Sequence, residues 1–161
     1  MAVPSGLHKG FWNDAANGLL KILYNGTTVL QVNATSFVSA FGLTSSHATT
    51  GIGYSTGAGG AVTQITSAAT AVTLNKVCGQ ITTVALTTAA AAEEAFVVNN
   101  SVVDANDVVV VSTTYAGGGK PVVFVTNVGA GVFTVNISNV DAAALNAVLV
   151  VNFAVIKCVV A

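Results

Sequence analysis

Residues 132–137 read VFTVNI. Phe133, Val135 and Ile137 fall on one side of an extended chain, Thr134 and Asn136 on the other. That period of two suits a half-buried strand and no helix. Working outward, seven more segments share this character: 62–66, 71–74, 80–86, 95–99, 108–112, 122–126 and 147–156. Each is rich in Val, Ile, Thr or Phe, which suit a pleated surface. Turn formers bound them, among them Asn75, Gly79, Asn106 with Asp107, Gly117, Gly119, Gly129, Gly131 and Asn139. Short strands with regular turn signals argue a sandwich or barrel. Eight strands in two sheets is the count of a jelly roll. The expected fold is therefore all-β, a jelly-roll-like β-sandwich of about eight strands with an N-terminal arm or hairpin. Phe133, Val135, Ile137, Phe153 and Val155 should face its core, and Asn152 and Ala154 should face away. The unbroken run Val108, Val109, Val110, Val111 predicts a strand covered on both faces. Residues 140–146, VDAAALN, predict a single helical turn.

Composition divides the chain into an N-terminal region 1–43, a Gly/Ser/Thr-rich linker 44–60 and the sandwich 61–161. In the first region Asn25–Gly26 lies between LLKILY and TTVLQVN. Both residues tolerate positive φ, so this reads as a hairpin and not as a helix.

The chain carries five lysines, no arginine and six acidic residues, only 7% charged, against 53% hydrophobic residues. Ordinary domains carry roughly a quarter charged residues. So sparse a charge must be offset by Thr, Ser, Asn and Gly on the surface, or by contact with other chains. A net charge of −1 with scattered Lys9, Lys21, Lys76, Lys120 and Lys157 gives no basic patch for nucleic acid. Residues 147–161 are too short for a spanning helix of ~20 residues and contain Asn152 and Lys157, so no membrane partner is expected. The first residues lack the apolar run of a secretory signal, which points to a chain made and used without export through that route.

No constellation for catalysis emerges, and no cofactor or metal site is expected. His8 and His47 have no spaced partner. Glu93 and Glu94 are adjacent and face opposite ways on a strand, so they read as a solvated hairpin tip. Asp104-Ala105-Asn106-Asp107 lacks the further ligands of a calcium loop and reads as a turn capped by its own side chains. Gly51, Gly53, Gly57, Gly59 and Gly60 are followed by no Lys-Ser/Thr and no helix, so they let backbone approach another surface and do not cradle phosphate. Cys78 and Cys158 read as two small thiols, with a disulfide open on count alone.

At Gly51 the chain becomes familiar. GIGYSTGAGGAVTQ (51–64), TAVTLNK (70–76), GQIT (79–82) and VNFAVIK (151–157) resemble motifs of tailed-bacteriophage virion surface proteins of the capsid decoration (cement) and head-fibre type. Cys78 stands where that family usually has Ser or Thr. The resemblance spans about two-thirds of the chain, residues 51–157. It implies a β-rich domain on the outside of a virion and supplies no enzymatic residues. No repeat indicates a fibre shaft. A compact chain fits a cement protein that bridges major capsid subunits; the alternative is a head-fibre or tail-fibre receptor-binding module. The partners implied are the major capsid protein and further copies of the chain, a homotrimer before a homodimer. Phe11 and Trp12 are the candidate capsid-interface residues, because aromatics supply large buried area at contacts. The competing role for Trp12 is to cap the open end of the sandwich.

Overall fold

A computed structural model describes residues 9–25, 27–32, 37–40, 42–44, 49 and 52–160. Among them there is no helix, and twelve strands form three four-stranded sheets. The chain forms two compact units, Met1–Gly53 and Tyr54–Ala161.

The first unit is an antiparallel sheet in the order β1 (Lys9–Asp14), β2 (Leu19–Tyr24), β3 (Thr27–Val32), β4 (Phe37–Ser39). The β2–β3 hairpin is the one Asn25 signals, and Asn25 takes a φ of 49° as that turn requires. Asp14 closes the preceding β1–β2 turn. Its carboxylate accepts hydrogen bonds from Asn17 Nδ2 at 2.9 Å and Lys21 Nζ at 3.2 Å. Among the described residues of this unit, Leu23 is the buried hydrophobic side chain.

The second unit has eight strands: β5 (Gly59–Thr63), β6 (Val72–Thr73), β7 (Cys78–Ala85), β8 (Glu93–Asn99), β9 (Val108–Tyr115), β10 (Pro121–Gly129), β11 (Val132–Asn139) and β12 (Val148–Ile156). They form two sheets, ordered β5-β7-β12-β9 and β10-β11-β8-β6. Pairing is antiparallel except for β5 with β7 and β6 with β8. Alternation does what it predicts. Phe133, Val135 and Ile137 are fully buried, as are Val151 and Val155, and Phe153 is nearly so. The Phe133 and Phe153 rings meet at 5.3 Å, tilted by 56°, which ties the two sheets together.

The sandwich is closed on one side. Residues 74–76 cross between the sheets there, and Leu74 leaves no room for a side chain at Gly60 or Gly79. A Cβ at Gly79 would lie 2.6 Å from Leu74 Cδ2 and 2.8 Å from the Gly60 carbonyl. On the other side β9 and β10 lie against each other, joined by residues 116–120. Val111, Tyr115, Val123, Val125 and Val128 reach the core there but stay only partly buried.

Three expectations need correction. The valine run 108–111 is covered on one face only: Val109 is buried, while Val108 and Val110 are 49% and 47% exposed. This unit has two layers, so each sheet keeps an outer face, and four consecutive valines do not reveal that. Residues 140–146 make no helical turn. The Asn139 side chain takes the local hydrogen bonds instead, accepting from Asp141 N (3.2 Å) and Lys120 N (3.2 Å) and donating to Ala143 O (2.8 Å). Leu145 is then drawn into the core, its N–H donating to Thr88 O at 2.9 Å. Glu93 and Glu94 begin β8 and are not a hairpin tip; the turn lies at Ala90 and Ala91, with Ala91 at a φ of 55°.

Candidate interaction surface

A single sheet hides the apolar side chains of a face only where another layer covers that face. The first unit accordingly leaves Leu20, Tyr24, Phe37, Val38 and Leu43 exposed. The candidate residues Phe11 and Trp12 lie on β1, with backbones paired to Ile22 and Lys21. Asp14 is buried, and the Asn17 amide and then the Lys21 ammonium hold its carboxyl below the usual carboxylate range.

In the sandwich, the sheet β5-β7-β12-β9 contains no charged residue in any strand. Its outer face is a neutral lattice of valine, threonine, asparagine and glutamine, with Gln80 Nε2 donating to Asn152 Oδ1 at 3.1 Å. The other sheet carries Glu93 and Glu94 at the start of β8, and Glu94 accepts from the Thr88 hydroxyl at 2.9 Å. Charge is thus confined to strand ends and loops.

One charged cluster was not foreseen from sequence. Lys157 Nζ donates to Asp107 Oδ2 (2.6 Å), Asp104 Oδ2 (2.8 Å) and Val102 O (2.8 Å). Asp107 is buried and also accepts from the N–H groups of Asp104 (2.8 Å) and Cys158 (3.2 Å). Lys157, followed by these backbone donors, holds the Asp107 carboxyl below its usual range. Asp104 and then Asp107 hold the Lys157 ammonium above its usual range. The turn reading of residues 104–107 holds, and the turn also clasps the segment after β12. Fifty residues separate the partners, so no local pattern announces the pair.

Cys78 is half-buried, Cys158 is exposed, and both are free thiols. Gly60 shows the close approach expected of the glycine-rich stretch. Gly57 is needed for its φ of 95°, and Gly53 has open space around its Cα. His8, His47 and Gly51 lie outside the described residues. Among the described residues no three His, Cys, Asp or Glu side chains converge as a metal site, and no helix is long and apolar enough to cross a membrane. No family model, curated protein or solved structure matches the chain.

Proposed function

We propose that this is a capsid decoration (cement) protein of a tailed bacteriophage, a structural protein bound to the outer surface of the head. The observation that carries the reading is a division of labour. The sandwich has a core of its own, whereas the four-stranded unit buries little and exposes Leu20, Tyr24, Phe37, Val38 and Leu43. The sandwich exposes apolar side chains too, Ile65 and Val159 among them, but over a larger surface and around a filled core; on a small unit that buries little, such exposure marks a contact surface. The motif resemblance supplies the context. In this reading the first unit, with Phe11 and Trp12, anchors each copy across a joint between major capsid subunits. Separating those subunits would re-expose the buried surface, so the shell resists rupture. Repetition over the lattice makes modest contacts collectively strong. No catalysis is involved.

Reconstruction of the intact virion tests this. Cement predicts density spread over the head in fixed proportion to the major capsid protein. Density confined to one vertex, the tail or sparse fibres would reject cement and favour a receptor-binding module.

A further inference from the structure

The sandwich has four sheet edges, and they are not equally guarded. An unguarded edge presents unpaired N–H and C=O groups and invites another strand, so proteins blunt edges by shortening, bulging, prolines or charge. The β6 edge is two residues long. The β5 edge is a short, glycine-led strand on the closed side, where Leu74 and Lys76 pack against Gly60 and Lys76 Nζ binds Gly57 O at 3.1 Å. The β10 edge begins with Pro121 and is bulged between Val125 and Asn127. The β9 edge has none of these devices. It runs eight residues, VVVVSTTY, pairs with β12 in unbroken register, and holds no proline and no charge. Among the described residues, no strand pairs with its free side.

We infer that β9 is a homodimerisation edge, pairing antiparallel with β9 of a second copy. Three observations select a second copy as the occupant. The edge is neutral, so a copy of itself meets it with no like-charge penalty, whereas a charged segment would leave its charges without partners. Val110 and Thr114 are exposed on its outer face and, with the two-fold axis near Ser112, would face Thr114 and Val110 of the copy. The half-buried Val111 and Tyr115 of β9, with Val123 and Val125 of β10, lie along the side at which the copy would dock and would gain cover from it. A strand that pairs antiparallel with its own copy generates a two-fold axis, so β9 selects a homodimer over a homotrimer. The strand is about 27 Å long and the sheets are about 10 Å apart. The area covered is therefore below that of a standard interface, and the dimer is reversible. The inference does not depend on the capsid reading, because it concerns the purified chain alone.

Sedimentation equilibrium of the full chain over a wide concentration range, with hydrogen exchange at both ends of that range, tests it. The mass should rise from one protomer to two, with β9 amides protected only where the dimer forms. Ser112 is exposed near the middle of β9, and Thr63 is exposed on β5. Ser112→Lys should weaken the dimer at least about tenfold by setting two lysines close together, and Thr63→Lys should leave it unchanged. Should Ser112→Lys fail to fold, Val110→Lys replaces it. A monomer at every concentration, a three-protomer species, equal loss with Thr63→Lys, or β9 protection independent of concentration would each overturn the inference.

Discussion

The two units are built from the same kind of strand and bury very different amounts. The sandwich places sixteen buried hydrophobic residues in one cluster. The described part of the first unit buries Leu23 and the charged Asp14, and leaves most of its large apolar side chains in solvent. The difference lies in layering. Two sheets share their inner faces, so alternating residues of both find cover, whereas a single sheet of four short strands covers little by itself. Strand propensity alone is therefore no measure of stability. The sandwich fills a core of its own, and the first unit leaves most of its large apolar side chains exposed.

The largest expected effect comes from breaking the better-buried unit. Phe153→Ala removes a ring packed on Phe133 and should cost about 3–5 kcal/mol in denaturant unfolding. A loss under about 1 kcal/mol would mean that the inter-sheet contact is looser than drawn.

Asn139→Ala comes next. It strips the bonds that hold three loops at one end of the sandwich. It should cost about 2–3 kcal/mol, since buried backbone groups lose their partners. Unchanged stability would show that water replaces the amide.

Hydrogen exchange sharpens the contrast between the units. Amides of β2 and β3 should exchange through smaller openings than those of β11 and β12, and Leu23→Ala should abolish what protection β2 and β3 have. Equal protection in both units would break the comparison.

The smallest effect is the pH dependence of the Lys157 clasp. Asp107 is shifted down, so its contribution is present above the unfolded carboxylate pKa and is lost as pH falls through the lower folded value. Lys157 is shifted up, so its contribution is present below the unfolded lysine pKa and is lost as pH rises through the higher folded value. Stability should be flat at neutral pH and fall on both flanks. Lys157→Met should flatten the alkaline flank and shrink the acid one, and a profile identical to the parent would show that the clasp does not contribute.

The strands were legible because alternation and turn chemistry act locally. All eight sandwich strands, the inward faces of Phe133 and Phe153, and the Asn25 hairpin follow from neighbouring residues. The misreadings share one cause. Whether Val110 is covered depends on whether a third layer exists, and nothing local to four valines reports that. Asn139 replaces a helical turn because its side chain reaches Lys120 and Ala89, far away in sequence. Lys157 and Asp107 meet only once β9 and β12 are paired. The exposure of Leu20, Tyr24 and Val32 was hidden for the same reason: LLKILY and TTVLQV read as a hairpin, and whether a face of it is covered depends on a second layer that no local pattern reports.

Binding to shells tests the central claim most directly. Purified protein added to expanded, undecorated heads should bind saturably and raise their resistance to heat or mechanical rupture. Phe11→Ala with Trp12→Ala should weaken that binding while the sandwich keeps its unfolding transition. Failure of the parent protein to bind, or binding that leaves the shell no more resistant, would contradict the account.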